Sequence, residues 1–495
     1  MPPHGLPVQN ALYTGSVIRR IEALFSQSAD PPLMERAGLA VAELARELAG
    51  TGEILVVAGP GNNGGDALVA ARHLKNGWFP VTMVMIGDPH RLSTDASAAL
   101  AAWRAQGGVL ETAIPSGRHW SLVLDGLLGM GLARPVTGRM EEWIGAINRT
   151  QAPVLALDVP SGLSADTGQV LGCAVRAHHT VTFIAHKPGL FTLDGPDHCG
   201  TVHLRDLGLT PVQLPPPSGW LLGTSLLAEA FPARRQNSHK GLFGSVGIVG
   251  GAPGMVGAAF LAGRAALRLG AGRVHVGLLA PALWDPVQPE LMVRSAADTL
   301  ALDQLTALVL GPGLGHSPEA LTILQAGIAR PVPLLLDADA LNLLASHPQL
   351  QQPLPRRQAP LLLTPHPAEA ARLLNSSTAD VQADRIAAAL TLASRYRAQV
   401  VLKGVGSICA TPEGRWYLNP TGNPGMASAG TGDVLSGMAG ALLAQGLDAE
   451  TALLAAIYLH GLAADRLAAQ GIGPVGLAAS ELCDAARSLV NQSFR

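Results

Sequence analysis

The sequence predicts an α/β protein made of two doubly wound domains in succession. Short leucine-rich or β-branched runs recur along the chain, each closed by a glycine, a proline or a polar turn, with helical patterns between them. At 495 residues the chain is too long for one core. Thr210–Gly223, with four prolines and no period, separates two stretches in which the pattern starts afresh. The expected boundaries are residues 1–209, a linker at 210–222, and residues 223–495.

In the first half, Leu33–Leu48 places Met34, Ala37, Val41, Leu44 and Leu48 on one helical stripe. Strands are expected at Ile54–Ala58, Val81–Ile86, Leu122–Leu124, Val154–Leu157 and Thr180–Ile184, at the spacing of βαβ crossovers. The second half offers Val246–Val249, Val274–Leu278, Leu308–Leu310, Leu334–Leu336, Leu361–Leu363 and Val400–Leu402. Helical patterns over residues 434–444, 449–469 and 478–490 end the chain.

Composition excludes several classes. A net charge of −2 with 14% charged residues leaves no basic surface for nucleic acid. Hydrophobic residues reach 48%, but no uninterrupted apolar run approaches the roughly 18 residues of a membrane span. The excess is Ala, Leu and Val, as buried parallel strands and their covering helices require. MPPHGLPVQN lacks a basic-then-apolar leader, and Cys173, Cys199, Cys409 and Cys483 are scattered without a CxxC. Reduced thiols in a cytoplasmic protein are expected.

The chemistry-bearing residues follow strands, where doubly wound sheets bind ligands. Asn419–Met438 is glycine-rich with a single acid, Asp433, and runs into an apolar helix. Backbone amides around Ala429–Gly432 at a helix start make an anion hole. A carboxylate there suggests a base that deprotonates a hydroxyl for attack on a phosphoryl group; the alternative is a helix cap. Lys403–Ser407 (KGVGS) reads as a phosphate cradle, and His366, between two prolines, is rigidly presented. Asp337, Asn342 and Glu369 could serve magnesium through water. In the first half, Gly59, Gly61 and Gly64 fit GxGxxG with Asp88 downstream, so a dinucleotide-dependent dehydrogenase competes. Asn62, Asn63 and Asp66 crowd that turn with oxygens that suit a cation or a nicotinamide better. Asp125 and Asp158 close successive strands, and with Ser161 and Asn63 could hold a monovalent cation, leaving one carboxylate as base. Both acids could equally cap turns. The chain has only four lysines, Lys75, Lys187, Lys240 and Lys403; Lys187 in HKPG reads as a surface turn residue.

With both halves read, the chain resembles the bifunctional NAD(P)H-hydrate repair enzymes, an epimerase domain fused to a ribokinase-like dehydratase domain. The resemblance rests on LMERAG (33–38), GPGNNGGD (59–66), DGLLGMGL (125–132) and DVPSGLSADTG (158–168) in the first half. In the second it rests on HKGLFGSVGIVGGAPGMVGAA (239–259), GPGLG (311–315), DADALN (337–342), TPHPAE (364–369), VLKGVGS (401–407) and NPGMASAGTGDVLSG (423–437). It implies a Rossmann-like epimerase domain over 1–209 and a ribokinase-like dehydratase domain over 223–495. NADH hydrate and NADPH hydrate would be the substrates, with ADP or ATP as co-substrate, K+ and Mg2+ as ions, and a homo-oligomer as the assembly. Asn62, Asn63, Gly64, Gly65, Asp66, Gly129, Met130, Gly131, Leu132, Ala133, Arg134 and Pro135 would line the epimerase pocket. Asp158 would bind substrate there and act as acid or base, and Asn63, Asp125 and Ser161 would hold potassium. In the dehydratase half, Ala258, Gly313, His366 and Asp433 would meet the hydrate, with Asp433 as the base. Lys403, Gly404, Val405, Gly406, Ser407 and Gly432 would meet the nucleotide. Ala67 stands where the family has glycine, and Met130 where it has threonine. A sugar or vitamin kinase and a non-catalytic nucleotide-binding regulator remain the alternatives.

Overall fold

The computed structural model describes residues 3–26, 28–281 and 283–492. The chain divides into two compact units, Val8–Gly219 and Trp220–Arg495, the latter with Met1–Pro7.

In the first unit, β1 (Ala11–Leu12) forms a parallel bridge to His186. The sheet itself comprises β2 (Ile54–Ala58), β3 (Val81–Met85), β4 (Leu122–Gly126), β5 (Val154–Leu157), β6 (His179–Phe183) and β7 (Thr201–Arg205). Its order is β3-β2-β4-β5-β6-β7, and every pair is parallel. The strand order reverses at β2 and β4, so a crevice opens beyond their carboxyl ends. The loop after β2 enters the helix Asn62–Asn76 at once. It is held so tightly that a Cβ on Gly64 would lie 2.0 Å from the Gly59 carbonyl oxygen.

The second unit has β8 (Gly219–Leu221), β9 (Ser245–Gly250), β10 (Arg273–Leu278), β11 (Met292–Ser295), β12 (Ala307–Leu310) and β13 (Leu334–Leu336). Then follow β14 (Leu361–Leu363), β15 (Gln399–Leu402), β16 (Ser407–Ala410) and β17 (Trp416–Asn419). They run in the order β8-β17-β16-β15-β14-β13-β12-β9-β10-β11. The strands from β9 to β15 pair in parallel, and β16 is antiparallel to both its neighbours. Here the order reverses at β9, between β10 and β12. Glycine-rich turns follow both β9 and β12 at that point and bond to each other, Ala252 N donating to the Gly313 carbonyl at 2.7 Å.

Two features differ from the sequence expectation. The proline-rich stretch is not free to its end, because Trp220 and Leu221 of β8 pair with Tyr417 and Leu418 of β17. Upstream of it the Tyr13 hydroxyl holds the Pro215 carbonyl at 2.9 Å. Residues 1–7 group with the second unit, where Leu6 is buried in its core. The helix Ala449–Ala469 is long and apolar enough to cross a membrane by composition, yet it is largely buried in that same core.

The helix Thr431–Ala444, which carries Asp433 in its first turn, lies directly on Val256–Arg268. Glycine permits this approach: a Cβ on Gly437 would stand 2.0 Å from the Ala262 carbonyl oxygen. Gly437→Ala is therefore expected to cost at least the about 1–3 kcal/mol of ordinary overpacking, since backbone cannot move aside as a side chain can. Calorimetry of the full chain should show the transition of the second unit lowered and that of the first unchanged. An unaltered trace would contradict this packing.

Candidate active sites

In the first unit the reversal point gathers oxygen atoms. Asp125, the fourth residue of β4, is wholly buried. Its carboxylate accepts from the Ser161 hydroxyl at 2.6 Å, the Ser161 amide at 2.9 Å and the Leu127 amide at 3.3 Å. The Ser161 hydroxyl in turn accepts from Leu128 N at 2.8 Å. Desolvation pushes the Asp125 carboxyl up to about 6 despite those bonds. Asn63 donates to the Leu128 carbonyl at 2.9 Å, while its own Oδ1 is buried with no hydrogen-bond partner among the described residues. Gly129 stands against Asn63, its missing Cβ 3.3 Å from Cγ. The rest of the 129–135 loop is mostly exposed, although Met130 packs partly against the small core cluster that includes Val159 and Leu163. Asn62 turns outward, its Oδ1 held by the Ser93 hydroxyl at 2.7 Å.

Asp158 follows β5 in a left-handed conformation, φ 64°, which L-residues adopt at a cost of roughly 1–2 kcal/mol. Its partner corrects the sequence reading of HKPG. Lys187 is not on the surface but wholly buried, with its ammonium paired to Asp158. It also donates to the Thr182 hydroxyl at 2.9 Å and the Phe183 carbonyl at 2.8 Å, so all three donors are used. That full satisfaction is what lets a buried charge persist. Two further carboxyls face this pair. Asp66, in the first turn of Asn62–Asn76, is raised well above its ordinary value by desolvation, then by the charges of Asp158 and Glu22, with Lys187 opposing. Glu22, on the helix Gly15–Phe25, is raised by burial and then by Asp158, against Lys187 and Arg19. Sequence reasoning missed Glu22 because no glycine or proline punctuates its neighbourhood.

In the second unit the same edge carries Asp337 after β13, the Thr364–His366 turn after β14 and Lys403 after β15. Lys403 Nζ donates to Asp337 Oδ1 at 2.7 Å and lies 4.0 Å from Glu369 Oε2. The other Asp337 oxygen accepts from the Ser436 hydroxyl at 2.6 Å. Burial works against the Lys403 charge, but Asp337, Glu369 and Asp433 outweigh it and its pKa rises. Burial lifts Glu369 to about 7 against the pull of Lys403. The same cause lifts Asp433 to about 7, with Asp337 adding to the rise, Lys403 opposing it and Asp339 contributing last. Gly430, in the left-handed region at φ 92°, turns the chain into the Thr431–Ala444 helix. Amides of the first turn have no acceptor within a helix, so Thr431, Gly432 and Asp433 present them to the crevice.

The remaining residues fall around this centre with some changes of role. Gly313 and Ala258 are neighbours, a Cβ on Gly313 lying 3.2 Å from that of Ala258. His366 caps the helix Pro367–Leu374 through Nδ1, which accepts from Ala368 N at 3.1 Å, and its Nε2 lies 3.2 Å from Glu369. In the Lys403–Ser407 turn the Ser407 hydroxyl donates to the Gly404 carbonyl at 2.9 Å, closing the loop that contains Val405 and Gly406. Arg385 braces the turn from below, donating to the Leu402 and Lys403 carbonyls at 3.3 Å each. The three side chains expected to serve magnesium through water each have a partner within the protein. Asp337 is taken by Lys403 and Ser436, Glu369 by the His366 amide, and Asn342 Oδ1 by Arg372 at 2.8 Å. Among the described residues no group of three or more His, Cys, Asp or Glu is arranged to hold a metal ion.

Each unit thus places carboxylates and a lysine ammonium beyond the carboxyl ends of a parallel sheet, and the second adds a carboxyl at a helix start; this is a two-site α/β enzyme. The family model described as NAD(P)H-hydrate dehydratase matches residues 246–487, and that described as YjeF-related protein N-terminus matches residues 31–189. The bifunctional NAD(P)H-hydrate repair enzyme Nnr of Coxiella burnetii is 41% identical over 97% of this chain and 99% of its own length. Its Escherichia coli counterpart is 39% identical over 93% and 89%. A Bacillus subtilis ADP/ATP-dependent NAD(P)H-hydrate dehydratase crystallised with ATP and Mg2+ has a TM-score of 0.49 at 32% identity. It covers 54% of this chain and 96% of that one. The chain belongs to the family of bifunctional NAD(P)H-hydrate repair enzymes.

The Asp433 carboxyl is expected to titrate near pH 7 in the ligand-free protein. Carboxyl-carbon NMR, with the resonance assigned by its loss in Asp433→Asn, measures this. Removing the opposing cation with Lys403→Met should move the midpoint higher still, whereas a midpoint near 4 contradicts the described environment.

Proposed function

We propose that the two units repair hydrated nicotinamide cofactors in sequence. The first interconverts the R and S forms of NADH hydrate and NADPH hydrate; the second dehydrates the S form with ADP or ATP. One observation carries the reading: Asp433 is a carboxyl poised near neutrality, within a helix start whose first-turn amides suit an anion. A pure cap would be stabilised as the charged form and drawn down instead.

The reaction is then derived from these groups. The hydroxyl on C6 of the hydrate gives its proton to Asp433 as its oxygen attacks the terminal phosphoryl, whose bond to the bridging oxygen breaks to release AMP from ADP or ADP from ATP. Amides at Gly430–Gly432 take up the charge that develops, and the Lys403–Ser407 turn holds the remaining phosphates. The C6–O bond of the phosphoester then breaks, driven by the ring-nitrogen lone pair. Loss of a proton from C5 restores NAD(P)H and free phosphate. Magnesium would arrive with the nucleotide co-substrate, and Asp337, Glu369 and Asn342, each hydrogen-bonded within the protein, could meet it through water.

Potassium fits the first unit. The buried Asp125 carboxylate has no ion pair among the described residues, and the orphaned Asn63 Oδ1 stands beside it in the same crevice. Asn63, Asp125 and Ser161 would hold the ion, which would neutralise Asp125 and fix the turn that begins the 129–135 loop. Asp158 would bind the hydrate and exchange its proton.

The two chemistries should be lost independently. Asp433→Asn keeps shape but removes the base, so dehydration should fall by roughly 10²–10⁴ with nucleotide affinity little changed. Asp158→Asn keeps an acceptor for Lys187, and should leave S-hydrate repair at the normal rate while the R form persists. Progress curves with both hydrates resolved by chromatography read this out. Near-normal dehydration by Asp433→Asn would reduce that carboxylate to a cap.

A further inference from the structure

Inversion at C6 constrains the groups that move protons in the first unit. C6 bears a hydroxyl beside the ring nitrogen, so its C–O bond can break and re-form through a C=N bond. In the first step the nitrogen lone pair forms C6=N while the oxygen leaves with its bonding electrons, takes a proton from an acid and departs as water. In the second, water adds to the other face, the C=N pair returns to nitrogen, and the surplus proton passes to a base. One group gives a proton and a second takes one, from opposite faces of the ring. A single turn of the fold cannot supply both.

Asp158 is one of the two. Lys187 is not the other, because its three donors are fixed on Asp158, Thr182 and Phe183 and it acts as a buried counter-charge. We propose that Glu22 is the second proton-transfer residue of the epimerase site. It comes from the helix Gly15–Phe25, which is separate from the turns carrying Asp66 and Asp158. Ile18 and Ile21 form the buried side of that helix, and Arg19 and Glu22 share the adjacent face one turn apart. The Arg19 guanidinium reaches the Met130 carbonyl at 3.5 Å, so this face stands over the 129–135 loop. Gly15 N donates to Asp166 at 2.6 Å, pinning the start of the helix to the segment that follows Ser161. Asp158, Asp66, Lys187 and Arg19 are the charged groups around Glu22. Glu22 is half-buried whereas Asp158 is sealed against Lys187, so Glu22 alone of the pair can re-equilibrate its proton with solvent between turnovers. Burial and the charge of Asp158 favour its protonated form, which the departing oxygen needs.

This inference rests on the epimerase reading, and one experiment separates the two. Without nucleotide the dehydratase is silent, so resolved S-NADH hydrate can be incubated with the full chain and formation of the R form followed by chromatography. Glu22→Gln should lower kcat for epimerisation by roughly 10²–10⁴ with KM within a few-fold of wild type. Glu22→Asp, which restores a carboxyl, should recover part of it. Wild-type kcat in Glu22→Gln alongside a slow Asp158→Asn would overturn the proposal and leave the epimerase reading standing. Equal losses in the Gln and Asp variants, with KM raised in both, would also overturn it, since that is the mark of a structural role. Normal rates in both Glu22→Gln and Asp158→Asn would overturn the proposal and the role of Asp158 together, whereas a wild-type rate no faster than the protein-free control would remove the epimerase reading itself.

Discussion

In each unit one lysine ammonium is set against three carboxyls, with Lys187 wholly buried and Lys403 partly so. Lys187 faces Asp158, Asp66 and Glu22; Lys403 faces Asp337, Glu369 and Asp433. One positive charge cannot balance three negative ones in a poorly solvated crevice, so carboxyls in each set are forced toward the neutral form. The nearest acid keeps the ion pair, Asp158 in one case and Asp337 in the other. The others are left with a proton to exchange. Both proposed chemistries draw on that leftover proton capacity, which a single paired carboxylate would lack.

The fold makes this arrangement possible by bringing turns from distant sequence to one edge. Strands β13, β14 and β15 end side by side, so residues of the 337, 364–369 and 403 turns meet although they are dozens of positions apart. The helix Thr431–Ala444 closes the crevice from the side because Gly437 lets it sit on backbone. In the first unit the reversal of strand order at β2 and β4 sets Asn63 beside Asp125 and the 129–135 loop. Lys187 reaches Asp158 because β5 and β6 are adjacent.

Much of this was legible in the sequence. Buried parallel strands read as short apolar runs, and glycine-rich turns after them mark where backbone must come close to a ligand. Asp433, Asp125 and Asp158 announced themselves as lone acids in such turns. What stayed hidden has physical causes. Lysine in a polar turn is normally solvated, so nothing in HKPG betrays the burial of Lys187. Glu22 sits on an amphipathic helix where a glutamate is unremarkable, and its importance arises from tertiary placement alone. The hairpin of β16 and β17 carries no crossover spacing to mark it, because its Thr411–Gly414 turn joins antiparallel strands. Ser407 accordingly begins a strand as well as closing a phosphate-facing turn.

The central claim is that the hydrate's own hydroxyl becomes the nucleophile and leaves as phosphate. Oxygen tracing tests it directly. S-NADH hydrate carrying ¹⁸O in the C6 hydroxyl, incubated with ADP, Mg2+ and the Asp158→Asn chain, in which epimerisation no longer exchanges that oxygen with water, should yield inorganic phosphate with one ¹⁸O atom, seen by mass spectrometry after a single turnover. Label recovered in water, with phosphate unlabelled, would mean that the oxygen leaves without being phosphorylated and that Asp433 does not prepare it for attack.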